Sequence, residues 1–112
     1  MKKPKESEIQ RSIIDWLRWK GYFCHKMPSV GTYKVKTGHF IPSPNKGAPD
    51  IMAYKKSNLG AIAIAIEVKR DEKSKQTESQ RQWQEDFSTK ANGLYILATS
   101  IGDVDNVLKS LL

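Results

Sequence analysis

The spacing of apolar residues along the chain predicts three amphipathic helices. In three segments these residues recur every three or four positions, which places them on one face of a helix. They are Ile9, Ile13, Trp16 and Leu17, then Trp83 and Phe87, then Val104, Val107, Leu108 and Leu111. Residues 7–10 and 77–80 have the Ser/Thr-x-x-Gln pattern of a capping box, so we expect the first two helices to begin there. We expect Gly102 or Asp103 to cap the third.

Apolar runs between turn residues predict the strands. They lie at residues 22–27, 50–54, 61–69 and 94–99, and a short hairpin of 32–36 with 40–41 is expected in the stretch 28–49, which is rich in Pro and Gly. The resulting order is α-β-β-β-α-β-α, with a long loop after the first strand. It predicts one domain over residues 1–112 of α/β (α+β) class, with a mixed central sheet flanked by helices.

The charge of the chain is positive and unevenly distributed. Among 112 residues, 19 Lys and Arg outnumber 12 Asp and Glu, and the net charge of +7 favours a polyanionic partner. Residues 16–49 contain no acid, and their cations are interleaved with Tyr and Phe. We interpret this stretch as a surface that neutralises phosphates. Its Tyr and Phe rings would either stack on bases or belong to the core.

Several classes of protein are excluded by what the sequence lacks. The single cysteine, Cys24, excludes an internal disulfide and a Cys-based zinc site, and we expect a buried thiol. His25 and His39 have no partner at zinc spacing and are expected to face phosphates or to be structural. No apolar run approaches the ~20 residues of a membrane span, and we expect no secretory signal because no apolar stretch follows the basic N-terminal residues. We therefore expect an intracellular, cytoplasmic protein. We also expect its three Trp residues to lie in the core or in a subunit interface.

Three charged residues converge if the strands at 50–54 and 61–69 form an antiparallel hairpin. The hairpin places Asp50 beside Glu67, and alternation puts Lys69 on the same face as Glu67, next to a row of alanines. Facing carboxylates repel each other unless a cation lies between them, and hard divalent cations prefer oxygen ligands. Taken alone, however, Glu67 and Lys69 would also fit a solvated strand end.

Such a cluster suits phosphodiester hydrolysis. A divalent metal ion polarises a phosphoryl oxygen and lowers the pKa of a bound water. Lys69 could orient or deprotonate that water, or stabilise the charge of the transition state. Glu8, in the first turn of the first helix, could face the metal, or could only interact favourably with the helix dipole.

The arrangement Pro49-Asp50, 16 residues, then Glu67-Val68-Lys69 resembles the signature of the PD-(D/E)xK nuclease superfamily. More narrowly, the chain is similar to a stand-alone VRR-NUC (virus-type replication-repair nuclease) domain over most of its length. The features behind this narrower likeness are Glu8, Gly47-x-Pro49-Asp50, Glu67-Val68-Lys69-Arg70, and Gln80 with Trp83.

The resemblance implies a restriction-endonuclease-like core and a set of site residues. Asp50 and Glu67 would ligate Mg²⁺ or Mn²⁺ together with the Val68 carbonyl, Glu8 would complete the acidic cluster, and Lys69 would be the catalytic lysine.

Gln80 has two interpretations. The resemblance implies that its side chain reaches towards the site, whereas its place in the Thr77-x-x-Gln80 box gives it a capping role. We expect both roles to coexist only if the amide leaves the cap.

DNA is the expected substrate. The family's minimal members resemble Holliday-junction resolvases, and we see no accessory domain for reading a flap, so we expect cleavage of branched DNA, four-way junctions first. Two symmetric cuts require a homodimer. The residues expected to contact DNA are Lys26, Lys34, Lys36, Lys46 and Arg70. We expect a phage or prophage origin. The alternatives are a restriction- or flap-type nuclease with the same core, and a non-catalytic nucleic-acid-binding module.

Overall fold

A four-stranded mixed sheet with three helices forms the frame of the protein. The computed structural model describes residues 4–28, 32–34, 39–41 and 46–111. The elements are α1 (Glu6–Trp19), β1 (Phe23–Lys26), β2 (Thr32–Lys34), β3 (His39–Ile41), β4 (Ile51–Ser57), β5 (Gly60–Val68), α2 (Glu78–Ala91), β6 (Leu94–Ala98) and α3 (Ile101–Lys109). The predicted order of elements and the mixed sheet are confirmed.

The strand order of the sheet is β1-β4-β5-β6. β4 pairs antiparallel with both β1 and β5, whereas β5 and β6 pair in parallel because α2 carries the chain across between them. β2 and β3 form a separate antiparallel hairpin, as predicted from the sequence. β4 continues beyond the predicted end at residue 54, because the β4–β5 turn contains just Asn58 and Leu59 between the paired residues Ser57 and Gly60.

One face of the sheet carries the hydrophobic core. Side chains alternate along β5, and Ile64, Ile66 and Val68 on this face are fully buried beneath α1 and α3. The helices contribute the rest of the cluster, chiefly Ile13 and Leu17 from α1. The other face, which carries Glu67, receives α2 over β6 and is the face on which the candidate site lies.

The N-terminal ends of α1 and α3 differ from the prediction. α1 begins at Glu6 after Lys5, with no side-chain cap, so Ser7 lies inside the first turn and the predicted capping box is wrong. α3 is capped by Ser100, whose hydroxyl accepts from the Asp103 backbone N–H. The Asp103 carboxylate instead accepts from the backbone and hydroxyl of Thr99, at 2.8 and 2.9 Å.

No helix within the described ranges is both long enough and apolar enough to cross a membrane. Cys24 is buried in the core as predicted, and burial raises the pKa of its thiol.

Candidate active site

Asp50 and Glu67 lie side by side at the end of the β4–β5 ladder. The register pairs Ile51 with Ile66, and the Asp50 backbone N–H donates to the Ile66 carbonyl at 3.1 Å, which places Asp50 opposite Glu67. The neighbouring position expected from the hairpin is therefore confirmed. Glu67 is 3% exposed, so one of the two carboxylates is almost wholly withdrawn from water.

Both carboxylates resist ionisation in this position. Burial, and then the charge of Asp50, raise the pKa of Glu67 to about 8. Burial also raises the pKa of Asp50, although a hydrogen bond from the Val68 backbone opposes this shift. A buried pair of like charges is unstable without a compensating cation, which is the electrostatic condition of a metal site.

The side chain of Asp50 is fixed by the backbone of β5. The Val68 N–H donates to Asp50 Oδ2 at 2.7 Å. Because the N–H and C=O of one strand residue point to the same side, the Val68 carbonyl is also directed towards Asp50. Three oxygen donors from two carboxylates and one carbonyl are thus gathered at the end of two strands.

Lys69 is held beside Glu67 by a side chain from α2. Its ammonium group lies 3.8 Å from Glu67 Oε1 and donates to Gln80 Oε1 at 3.0 Å. The Gln80 amide nitrogen in turn donates to Glu67 Oε1 at 2.8 Å. Lys69 is 8% exposed, so this network fixes a buried cation next to the acidic pair.

Gln80 caps α2 and contacts the site at the same time. Its Oε1 accepts from the Thr77 backbone N–H at 2.9 Å, while the Thr77 hydroxyl accepts from the Gln80 backbone N–H at 3.2 Å. The predicted capping box is confirmed. The expectation that the amide must leave the cap to reach the site is wrong. Gln80 Oε1 accepts hydrogen bonds from both Thr77 and Lys69 with its two lone pairs, while Nε2 donates to Glu67.

The turn before Asp50 packs directly on the start of α2. Gly47 has φ +84°, and a Cβ at this position would overlap the backbone carbonyl of Ser79. Only a residue without a side chain permits this approach. The close contact ties the loop that carries Asp50 to the helix that carries Gln80.

Glu8 does not join the acidic pair. It is exposed and lines a groove with Ser12 and Thr99, near the start of α3. The α1 acid whose charge raises the pKa of both Asp50 and Glu67 is Glu6.

The helical period explains why Glu6, rather than Glu8, acts on the site. Glu6 lies three and seven residues before Ile9 and Ile13, on the face that α1 turns to the sheet, whereas Glu8 lies on the opposite side. The spacing of the apolar residues in the sequence already defines this face, so Glu6 could have been selected instead of Glu8.

The acidic residues of the site are two, Asp50 and Glu67. Within the described part of the chain, no three His, Cys, Asp or Glu side chains are close enough to share a metal ion. The donor set nevertheless fits Mg²⁺ or Mn²⁺, which use one or two protein carboxylates and complete their shell with water and substrate phosphate. Glu67 Oε2 supports this fit, since it is a buried atom without a hydrogen-bond partner.

The basic residues expected to contact DNA are only partly described. Lys26, Lys46 and Arg70 are exposed. Lys26 lines a groove of 540 Å³ together with Arg11 and Arg18 of α1. Lys36, and the side chains of Lys34 and His39, lie outside the described residues.

The tryptophans divide between the core and the surface. Trp16 packs against the core, and Trp83 stacks on Phe87 with ring centroids 5.0 Å apart. Trp19 is 79% exposed, and the Lys20 ammonium lies 5.5 Å from its ring centroid.

Comparison with known proteins supports the fold. No protein-family model matches the chain, and no match was found among curated proteins. A solved structure described as "VRR_NUC domain" superimposes with a TM-score of 0.66 and 21% sequence identity, covering 93% of this chain and 94% of that chain. The chain therefore has an α+β architecture, and within that class the fold of a VRR_NUC domain.

Proposed function

We propose that this protein is a metal-dependent nuclease that hydrolyses phosphodiester bonds in DNA. The observation that carries the proposal is the buried Asp50–Glu67 pair with Lys69 fixed beside it. The likeness to a structure described as "VRR_NUC domain" adds support, because the pair lies at the end of the sheet in a fold of that type. A non-catalytic binding module would have no use for two destabilising carboxylates at this place.

The residues have separate roles in the proposed reaction. Asp50, Glu67 and the Val68 carbonyl would hold Mg²⁺ or Mn²⁺, which supplies Lewis-acid activation of the phosphate and of a water. Lys69 presents a cationic donor to the attacking water or to the charge that develops on the phosphate. Gln80 keeps the Lys69 ammonium beside Glu67 through the contacts described above. The Glu6 charge contributes to the negative field of the site.

The substrate we propose is branched DNA, with the four-way junction as the first candidate. The net charge of +7 favours a polyanion, and the exposed Lys26, Lys46 and Arg70 are available to bind phosphates. Resolution of a junction requires two symmetric cuts, so we propose a homodimer with one site in each subunit.

Few exposed apolar residues are available for a dimer surface within the described part of the chain. Leu108 is 4% exposed and Leu111 packs against the core, so these two residues offer little to a partner. Trp19 remains exposed. Residue 112 and most of residues 28–46 lie outside the described residues.

A cleavage assay tests the proposal. Labelled duplex, flap, splayed and four-way DNAs are incubated with the protein in Mg²⁺, in Mn²⁺ and in EDTA. We expect metal-dependent cuts that are lost in Glu67→Gln and Lys69→Ala but kept in the exposed controls Glu85→Gln and Lys90→Ala. Binding without cleavage by the wild type under all conditions would favour the non-catalytic module instead.

Two further measurements refine the substrate. Sedimentation should give about twice the chain mass of 12.7 kDa, and a four-way junction should show paired nicks in opposing strands. Replacing Lys26 and Lys46 together by Gln should lower the log–log salt slope of duplex binding by about 0.9 for each phosphate that is no longer neutralised. A monomer that cuts flaps alone would contradict the junction proposal and favour a flap-type nuclease.

A further inference from the structure

Three aromatic rings form a contiguous cluster on β1 and β4. The Phe23 ring centroid lies 5.7 Å from that of Tyr54 and 6.3 Å from that of His25. The His25 and Tyr54 rings are 6.1 Å apart and nearly parallel, at 23°. Phe23 is opposite Tyr54 in the β1–β4 register, so the cluster is set by strand pairing.

The cluster lies on the sheet face that carries Glu67. Residues 50, 52 and 54 of β4 share one face by alternation, and Asp50 is opposite Glu67 on that face. Between the rings and Glu67, β5 presents Ala63, which is half-buried, and Ala65, which is fully buried. On β4, the buried Met52 lies between Tyr54 and Asp50 on this face, so buried side chains separate the rings from the acidic pair.

Phe23 does not contribute to the core. It is 72% exposed, although it is one of the larger apolar side chains in the chain. The alternative that the aromatic residues of this stretch are core residues therefore does not apply to Phe23. The ring and its two neighbours form an apolar surface that is open to a planar partner.

The charge around the cluster indicates what that partner is. Lys56 lies two residues beyond Tyr54 on the same face and is exposed. No acidic residue occurs between positions 16 and 49 of the sequence. An exposed ring with a cation beside it on the same face matches a nucleic acid strand, whose bases stack while its phosphates pair with the cation.

We infer that Phe23, His25 and Tyr54 form a stacking platform for an unpaired nucleobase of the DNA substrate. The inference rests on the proposed nuclease function and narrows its substrate to DNA in which a branch or end frees at least one base. Paired bases in a continuous duplex are stacked on each other and cannot offer a face to the platform.

The sheet geometry gives the position of this base relative to the cut. Tyr54 is four residues from Asp50 along β4, or about 13 Å at 3.3 Å per residue. His25, opposite Met52, is two residues from the Asp50 position, or about 7 Å. With about 3.4 Å per stacked nucleotide, the platform base lies about two to four nucleotides from the scissile phosphate.

The experiment measures DNA binding in EDTA, where no cleavage is required. The probes are a flap DNA with 2-aminopurine at successive positions of the single strand, and a continuous duplex of the same length. For wild type we expect quenching of 2-aminopurine that is greatest at one position of the single strand. Phe23→Ala should weaken flap binding about tenfold, abolish that quenching and change duplex binding less than about twofold.

Three variants distinguish base stacking from general apolar binding. Phe23→Trp should retain binding and quenching, whereas Phe23→Leu should lose them as Phe23→Ala does, because leucine keeps the apolar character without the ring. Leu59→Ala removes a fully exposed apolar residue from the β4–β5 turn and should change nothing. The high exposure of Phe23 makes these variants compatible with folding, which circular dichroism verifies.

Several results would overturn the inference. Equal losses on flap and duplex would assign the cluster to general DNA binding, and normal binding by Phe23→Leu would exclude stacking. Conversion of a dimer into a monomer by Phe23→Ala would assign the rings to a second copy of the chain. Each result is independent of cleavage, so failure of the platform and failure of the nuclease proposal are distinguishable.

Discussion

Helices α1 and α2 have the same length of 14 residues but are held to the sheet in opposite ways. α1 buries four apolar side chains and has no side-chain cap. α2 contains no buried residue, yet its N-terminus has a complete capping box and is joined to Lys69 and Glu67 through Gln80.

The difference separates the residues that stabilise the fold from the residues that form the candidate site. α1 is anchored by the apolar face that also forms the core, so its loss would remove the fold. α2 packs half-buried aromatic rings near β6, and polar contacts hold its N-terminal end, which borders the site. Changes at that end should therefore disturb the site more than the fold, and changes in α1 should do the reverse.

The largest expected effect is on the α1 side. Ile13 is fully buried, and Ile13→Ala should lower the free energy of unfolding by about 2–5 kcal/mol. Urea denaturation measures this change, with the exposed Ser12→Ala as control. Cleavage per folded molecule should stay near that of wild type, and a selective loss of cleavage would contradict the division between the two helices.

Gly47→Ala tests the contact between the Asp50 loop and α2. Both a positive φ and an overlap with Ser79 oppose the added methyl group, and we expect a loss of about 2–3 kcal/mol with impaired cleavage. Gly21→Ala is the matched control, since Gly21 has φ +93° but nothing within 4 Å of the added Cβ. It should cost about 1–2 kcal/mol and leave cleavage intact. Equal behaviour of the two variants would show that the contact has no role.

The pH dependence of stability should reveal the strained acid pair. The pKa of Glu67 is raised from 4.5 to about 8, so the metal-free folded protein retains a proton that the unfolded chain releases. The contribution of Glu67 to the free energy of unfolding should be greatest below pH 4.5. It should decrease as the pH rises to about 8, by at most about 1.4 kcal/mol per pH unit.

Glu67→Gln should flatten that decline, and Mg²⁺ should raise the melting temperature more at pH 8 than at pH 6, because metal binding displaces the proton. A decline that persists unchanged in Glu67→Gln would assign the effect to other groups.

The smallest change in stability is expected from variants of the α2 cap. These variants also give the clearest test of the difference between α1 and α2. Thr77→Ala and Gln80→Ala should each cost about 1 kcal/mol because the cap is removed. Only Gln80→Ala also removes the hydrogen bonds to Lys69 and Glu67, so only this variant should lose cleavage, by about a hundredfold. Equal cleavage by the two variants would show that Gln80 acts solely as a cap.

Much of the site followed from local rules. The strand alternation and the short hairpin sufficed to place Asp50 beside Glu67, since pairing partners in a ladder are fixed once the turn is located. The capping box at Thr77 could also be predicted from the sequence, because a capping box is formed within four residues.

The rest depended on tertiary contacts or on helix phase. The Ser7-x-x-Gln10 pattern failed because α1 begins two residues earlier than the predicted capping box allows, at Glu6, with Lys5 before it and no side-chain cap. The double role of Gln80 required knowledge of how close α2 approaches β5. Glu6 was overlooked in favour of Glu8 although the 3.6-residue period distinguishes them.

Calorimetric titration with Mn²⁺ tests the central claim most directly, namely that the Asp50–Glu67 pair is a metal site. The wild type should bind Mn²⁺ with an affinity that rises from pH 6 to pH 8 and with release of protons. Asp50→Asn and Glu67→Gln should abolish this binding, whereas Lys69→Ala should retain it. Absence of divalent metal binding by the wild type, or unchanged binding by both carboxylate variants, would contradict the account.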